Sequence, residues 1–187
     1  MKDNKNLLFK TQVVDENTLK RTMMRLSYEV VEKNGDLNNI VLVGIKRRGI
    51  PLAQMIKDNI YKNTGVEVAL ATLDIKFYRD DLKRVNDDPK LTKEDFNVDI
   101  NDKEVIIVDD VIYTGRTVRA AIEAIFDLGR PSKVSLLVLV DRGHRELPFR
   151  PDYVGKNIPT SSKELVRVNL TPIDDKTNVE LWEINDD

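Results

Sequence analysis

The sequence predicts an α/β fold in which a mostly parallel sheet is flanked by helices. Apolar runs of strand length alternate along the chain with segments of helical periodicity. The strand-like runs are apolar at consecutive positions, as expected for parallel strands that are covered on both faces. A chain of 187 residues with 41% hydrophobic content suffices for one well-buried core. We therefore expect a single domain over residues 1–187.

The first predicted helix lies near the N-terminus. Its apolar positions recur at spacings of four, three and four, at Leu19, Met23, Leu26 and Val30. Asp15 or Asn17 is the expected N-cap, and Gly35 is the expected terminator. The spacing indicates an amphipathic helix that buries one face.

Four apolar runs follow as the predicted strands of the sheet. They occupy residues 38–45, 66–75, 103–112 and 133–141. A helical period resumes at Pro51 after the first run, and another at about Thr117 after the third, where Gly129 and Pro131 end the helix. Strands and helices in this order predict the parallel sheet.

Two segments lie outside this alternation. Residues 77–102, approximately, form a polar stretch longer than ordinary loops in compact domains, which predicts a lid, a hairpin or a disordered linker. Residues 141–187 contain several turns and a strand-like run at 178–184. We expect a core over about residues 15–142 and a small hood of short strands formed largely from 141–187.

The composition excludes several kinds of site. The chain has no Cys and one His, which excludes disulfides, a Cys nucleophile and a His-based zinc site, so any metal should have oxygen ligands. A net charge of -2 excludes a uniformly basic nucleic-acid coat protein. No apolar stretch approaches the roughly 18 residues of a membrane-spanning helix, so we expect a soluble, cytoplasmic protein.

The sequence VIIVDDVIYTGRT at residues 105–117 combines a strand end with a polar turn that opens a helix. Ligands of open α/β sheets bind beyond the carboxyl ends of the strands, where a helix N-terminus offers unpaired N–H groups to an anion. Gly115 permits close backbone approach, and the Thr114 and Thr117 hydroxyls add donors. This turn is a predicted phosphate cradle.

Asp109 and Asp110 precede the predicted cradle. Carboxylates this close would repel a phosphate, so we expect them to accept hydrogen bonds from sugar hydroxyls or to hold Mg²⁺ through water. A ribose 5-phosphate satisfies both the carboxylates and the cradle. The alternative is that the two residues form only a helix cap and a solvated turn.

Two cationic segments could complete an anion site. GIKRRG at 44–49 places Lys46, Arg47 and Arg48 after a strand, where they could bind pyrophosphate, although such a turn can also be simply solvated. The cations of the long polar stretch, with a tyrosine, could close over a ligand and exclude water. These lid residues are Tyr78, Arg79, Lys83 and Arg84.

VDDVIYTGRTVRA at 108–120 resembles the phosphoribosyl pyrophosphate (PRPP) signature of type I phosphoribosyltransferases. With GIKRRG, LDIKFYRDDL at 73–82 and DRGHRELPFRPDYVGKNIPTS at 141–161, the chain resembles the PyrR family of pyrimidine operon regulators. The last of these motifs is the most specific to that family. Together with the helical segments, the resemblance covers nearly the whole chain.

The resemblance implies a type I phosphoribosyltransferase fold and conversion of uracil and PRPP, with Mg²⁺, to UMP and pyrophosphate. It implies catalytic roles for Asp109, Asp110 and Arg48, with no direct metal ligand assigned. The implied substrate-binding residues are Arg47, Arg48, Arg84, Asp109, Asp110, Val111, Ile112, Tyr113, Thr114, Gly115, Arg116, Thr117, Arg142 and Val166. Arg142 and backbone groups near Val166 would bind uracil.

The resemblance also implies binding to the leader mRNA of a pyrimidine operon, promoted by UMP or UTP and causing transcription attenuation, and a homodimer or higher assembly. The implied RNA-binding residues are Arg145, Arg150, Lys156 and Thr160. An ordinary charged surface is the alternative for these cations, and His144 is given no role. The chain departs from the family at Arg47 and Met24, where Thr is usual.

Two other functions are kept as alternatives. A purely catalytic salvage or orotate phosphoribosyltransferase would share the PRPP motif but should lack the segment at 141–161. An RNA regulator with vestigial enzyme activity would keep the nucleotide pocket as a sensor.

Overall fold

The computed structural model describes residues 6–75 and 96–185, and the predicted lid residues lie outside this part of the chain. The described elements are β1 (Asn6–Val14), α1 (Glu16–Lys33), a 3₁₀ helix (Leu37–Asn39), β2 (Ile40–Ile45), α2 (Gly49–Thr64), β3 (Ala69–Leu73), β4 (Glu104–Ile112), α3 (Arg116–Leu128), β5 (Lys133–Asp141), β6 (Tyr153–Asn157), β7 (Glu164–Asn169) and β8 (Asn178–Asn185).

The larger sheet has five parallel strands in the order β3-β2-β4-β5-β6. Helices α1 and α2 cover one face, where Leu19 and Ile56 pack with Ile106 of the central strand. Helix α3 covers the other face, where Ala121 packs against Ile107. The predicted α/β fold with a parallel sheet is confirmed.

Helix α1 begins and ends where the sequence predicts. Asp15 caps the helix, its carboxylate accepting from the Thr18 N–H at 2.6 Å. Asn34 is the C-cap residue, and Gly35, the expected terminator, follows it directly. The Asn34 amide donates to the Val30 carbonyl at 2.6 Å and to the Tyr153 hydroxyl at 3.0 Å, and these bonds tie the helix end to β6.

The second sheet is antiparallel, with strand order β1-β8-β7, and forms the hood. Its inner face packs Val166, Val168 and Val179 against the core shared with α1 and α2. The expected division of the chain differs in two places. The N-terminal strand β1 belongs to the hood, and β6, within the segment assigned to the hood, is the outer strand of the large sheet.

The connection between β2 and α2 is held close to the sheet by two glycines. A Cβ at Gly44 would lie 2.7 Å from the Ile50 Cα, and one at Gly49 would lie 2.3 Å from the Val108 carbonyl oxygen. Contacts this short leave no room for a side chain. The turn at residues 46–48 is therefore fixed beside the end of β4.

Within the described ranges, none of the helices has the length and apolar character needed to cross a bilayer.

Candidate functional site

The first part of the site is a cavity of about 270 Å³ at the end of β4, lined by residues 111–118. All seven predicted cradle residues from Val111 to Thr117 therefore line one cavity. Gly115 has φ 92° and precedes the first turn of α3. The positive φ favours glycine, and a Cβ there would also lie 3.1 Å from the Phe149 ring, which would have to move by a few tenths of an ångström.

The chemistry of this cavity suits a phosphate group. The first N–H groups of α3 have no partners within the helix and carry the positive end of its dipole. Hydroxyls of Thr114 and Thr117 stand beside them along the lining. The cavity can therefore bind a dianionic phosphate mainly through backbone donors.

A second cavity, of about 450 Å³, lies between the end of β4 and the hood. It is lined by Arg48, Asp110, Leu165, Val166, Arg167, Val168, Asn169 and Asp174. Among the described strands, β7 pairs with β8 alone and is an edge strand. The edge of β7 that does not pair with β8 therefore presents unpaired backbone donors and acceptors to this cavity, beside its charged side chains.

The two adjacent carboxylates at the end of β4 have different surroundings. Asp110 lines the second cavity, and its burial raises the pKa of this carboxyl, although a hydrogen bond with Asp109 and the charge of Arg48 act in the opposite direction. Asp109 is only 7% exposed, and its carboxylate accepts from the Asp110 N–H at 2.9 Å. Asp110 is thus the carboxylate that faces the cavity.

Arg48 is held by a partner that lies far from it in the sequence, Asp174. Its Nε and Nη2 donate to the two carboxylate oxygens of Asp174 at 3.1 and 2.8 Å. This hydrogen-bonded pair raises the pKa of Arg48 and lowers that of Asp174. Because 126 positions separate the two residues, no local pattern could have paired them.

The other cations of this turn have different surroundings. The Lys46 side chain lies 3.3 Å from the Asp74 carboxylate, and its backbone N–H donates to the Leu73 carbonyl. The Lys46–Arg47 peptide bond is cis. Arg47 is exposed, so its guanidinium faces solvent at the carboxyl edge of the sheet.

Arg142, predicted to bind a nucleobase, is 5% exposed and is not among the residues that line the second cavity. Its guanidinium donates to Thr160 Oγ1 at 3.2 Å and to the Glu164 carbonyl at 2.6 Å, and stacks 4.0 Å from the centre of the Tyr113 ring. Burial lowers its pKa. The structure does not bring its guanidinium and Val166 into one cavity, but Arg142 holds the strand that carries Val166.

Comparisons with known proteins agree with this geometry. Residues 10–171 match the phosphoribosyl transferase domain family. The bifunctional PyrR proteins of Clostridium perfringens, Clostridium kluyveri and Oceanobacillus iheyensis are 55%, 53% and 52% identical to this chain. These matches cover 93%, 94% and 93% of this chain and 98% of each relative. The chain belongs to the PyrR family. The predicted phosphoribosyltransferase is thereby confirmed.

Solved structures show the same fold at low sequence identity. Hypoxanthine phosphoribosyltransferase of Trypanosoma cruzi superposes with a TM-score of 0.70 at 16% identity, covering 95% of this chain and 98% of that one. A hypoxanthine-guanine phosphoribosyltransferase of Bacillus anthracis gives 0.69 at 18% identity, over 95% and 99% of the two chains. They establish the type I phosphoribosyltransferase fold of this PyrR family member.

The segment after β5, within residues 141–161, is hydrogen-bonded to the loop that forms the phosphate cradle. Backbone N–H groups of Glu146 and Leu147 both donate to the Thr114 carbonyl at 3.0 Å. Arg145 donates to the carbonyls of Tyr113 and Phe149 at 2.8 and 3.0 Å, and also binds the Asp141 carboxylate. Arg145 therefore holds this segment in place. The sequence predicted only an RNA contact for Arg145 and not this structural role.

The remaining predicted RNA-binding residues differ in exposure. Arg150 is exposed, as is Lys156, whose ammonium donates to the Val13 carbonyl at 3.3 Å. Thr160 is half-buried, and its hydroxyl accepts from Arg142 and donates to the Arg142 carbonyl. Arg150 and Lys156 are thus exposed cations, whereas Arg145 and Thr160 are half-buried. Arg84 lies outside the described residues.

Proposed function

We propose that this chain transfers the phosphoribosyl group of PRPP to uracil and releases pyrophosphate. The observation that carries this proposal is the adjacency of two unlike cavities at one sheet edge. Val111–Val118 line a phosphate cradle, and Arg48, Asp110 and the edge of β7 line a larger cavity beside it. A phosphate, a ribose, a pyrophosphate and a flat base together require such a pair of cavities.

The cradle suits the 5-phosphate, and the carboxylates suit the ribose. A carboxylate is an acceptor that pairs with the two hydroxyl donors of the sugar. Asp110 faces the cavity, and Asp109 supports it through the Asp110 N–H. We assign Asp110 the direct ribose contact, and Asp109 a contact or the positioning of its neighbour.

The pyrophosphate is assigned to the turn at residues 46–48. Arg48 reaches the second cavity, and the exposed Arg47 stands next to it at the sheet edge. Among the described residues, no three metal-ligating side chains come together, so a cation held at Asp110 would take further oxygen ligands from PRPP and water. Mg²⁺ bound in this way would neutralise charge on the departing pyrophosphate.

Uracil is assigned to the edge of β7. Its edge presents both donors and acceptors, which the unpaired N–H and C=O groups of an edge strand can complement. Val166 lies on the cavity wall at this edge. Arg142 belongs to the base site through its bond to the Glu164 carbonyl, which fixes the beginning of β7.

The reaction is a displacement at C1 of the ribose. Uracil N1 forms the new bond as the C1–O bond to pyrophosphate breaks, the N1 proton passes to solvent or to the departing pyrophosphate, and inversion at C1 gives UMP. The protein aligns the two reactants and stabilises charge that develops on the leaving group. No covalent bond to the chain is needed.

The base specificity provides the test of this proposal. Pyrophosphate release from PRPP and Mg²⁺ should require uracil and should be much slower with orotate, hypoxanthine or adenine. The Asp109→Asn variant should lose most of the uracil-dependent rate, because Asp109 either contacts the ribose or positions Asp110, which does, and the replacement does not change side-chain size. Release with a purine or orotate instead of uracil, or with none of the bases, would contradict the assignment.

We also propose that the chain binds the leader RNA of a pyrimidine operon in the cytoplasm, that UMP or UTP promotes this binding, and that binding attenuates transcription. The relatives named above are called bifunctional, which agrees with a second role beside catalysis. Exposed Arg150 and Lys156 supply cations for RNA phosphates. A homodimer or higher assembly would bring two copies of this surface together.

The RNA proposal predicts binding that depends on both nucleotide and salt. A labelled leader transcript should bind more tightly with UMP present, and Arg150→Gln should reduce the salt slope of log K by about one unit. Lys62→Gln is the matched control, because exposed Lys62 lies in the last turn of α2, which runs back from the carboxyl edge of the sheet. Binding without any nucleotide effect, or equal losses in both variants, would reject the proposed surface.

A further inference from the structure

We propose that Asp174 is a positioning residue for PRPP, acting through Arg48, an inference that rests on the proposed transferase function. Asp174 follows β7 in the hood, whereas Arg48 follows β2 in the core. Their bidentate contact bridges the two sheets at the wall of the second cavity. The reaction would therefore depend on a hood carboxylate that orients a pyrophosphate-binding cation.

The geometry of the contact determines which N–H donors of the Arg48 guanidinium stay available for a ligand. Asp174 accepts from Nε and from Nη2, so one side of the planar group is occupied. Because an Arg fork is rigid and planar, the remaining N–H donors point away from Asp174. Asp110 lines the same cavity and contributes to raising the pKa of Arg48, so the group also lies within the field of that carboxylate.

Asp174 is itself fixed before it acts on Arg48. Its Oδ2 accepts from the Leu170 N–H at 2.9 Å, and its own N–H donates to the Leu170 carbonyl at 2.8 Å. These bonds close a turn at the end of β7. Arg48 lowers the pKa of the Asp174 carboxyl, so this group is ionised at neutral pH. A chain of hydrogen bonds thus runs from the hood backbone to the cavity.

This arrangement reduces the entropy that Arg48 loses on binding a ligand. An unrestrained Arg must give up rotamer freedom, whereas a side chain already held in place gives up less. The same contact could instead act as a latch, with Asp174 competing against pyrophosphate for Arg48. The two roles differ in sign, because removing a positioning group weakens PRPP binding and removing a competitor strengthens it.

Calorimetric titration of Asp174→Asn distinguishes the two roles. We expect the Kd of Mg²⁺–PRPP and of pyrophosphate to rise by roughly three- to tenfold, while the Kd of UMP stays unchanged, because UMP has no pyrophosphate. Asp175→Asn is the control, because exposed Asp175 is adjacent and its replacement changes the charge equally. Tighter PRPP binding, or an equal loss of UMP binding, would overturn the positioning role.

A double-mutant cycle tests whether Asp174 acts through Arg48. If it does, Asp174→Asn should have little further effect on PRPP affinity in an Arg48→Gln background. Equal effects in both backgrounds would mean that Asp174 acts independently of Arg48, and the inference would be wrong. Wild-type protein that binds UMP but neither PRPP nor pyrophosphate would contradict the proposed transferase function itself. Failure of the transferase proposal can thus be told apart from failure of the Asp174 inference.

Discussion

Asp110→Asn should reduce kcat/KM for PRPP by roughly a hundredfold or more while leaving the fold at least as stable as the wild type. The carboxylate lines the second cavity, where it is assigned to the ribose hydroxyls. An amide of the same size replaces one acceptor oxygen by a donor and removes the negative charge. The loss should therefore appear in turnover rather than in folding.

The expected gain in stability follows from the raised pKa of Asp110. Burial disfavours its ionised form, so the folded state binds a proton more readily than the unfolded state. Stability of the wild type therefore falls as pH rises from the ordinary Asp range through the raised pKa. Asparagine has no such titration, so the variant should be more stable than wild type at neutral pH, by a margin that shrinks in acid.

Two measurements on one pair of proteins check this prediction. Steady-state kinetics with uracil and PRPP give kcat/KM, and urea unfolding from acid to neutral pH gives stability. Asp175→Asn provides the control for removal of an exposed charge nearby. Wild-type kcat/KM in Asp110→Asn would remove the ribose assignment. A variant less stable than wild type at neutral pH would show that the ionised carboxylate contributes favourable contacts.

The sequence predicts correctly those elements whose hydrophobic pattern lies entirely within their own residues. The periodicity of α1 and the continuous apolar run of β4 each follow from neighbouring residues, and so does the turn from Tyr113 into α3. β1 and β6 lack such patterns. β1 pairs with β8 across most of the chain length, and β6 includes Gly155 and exposed Lys156. Their strand conformation depends on tertiary partners.

In the candidate site too, the parts built from consecutive residues were predictable, and the parts built from distant residues were not. The cradle was predictable because strand, glycine turn and helix are consecutive from Asp109 to Thr117. The Arg48–Asp174 pair was not, because it joins two sheets. For Arg142 and Arg145, the sequence indicated cations beside the site, but only the structure shows that carbonyls and a carboxylate occupy much of their donor capacity.

Gly49→Ala should destabilise the fold by roughly 3 kcal/mol or more, which corresponds to a fall of roughly 10 °C in Tm. Alanine normally stabilises a helix more than glycine does. Here, however, its Cβ would lie 2.3 Å from the Val108 carbonyl oxygen and 3.2 Å from the carbonyl carbon. Backbone atoms of a central strand cannot rotate away as a side chain can. Either α2 or β4 must shift, and either shift moves Arg48 relative to Asp110.

Thermal unfolding of Gly49→Ala and Gly35→Ala provides a matched comparison. A Cβ at Gly35 meets no atom within 4 Å, so that variant should stay within about 0.5 kcal/mol of wild type. Both proteins carry the same added methyl group and the same loss of backbone freedom in the unfolded chain. The difference between them therefore isolates the contact with β4. If Gly49→Ala were as stable as Gly35→Ala, the backbone at this end of the sheet would have to move by several tenths of an ångström at little cost. The close contact between the turn at residues 46–48 and β4 could then not be what orients Arg48.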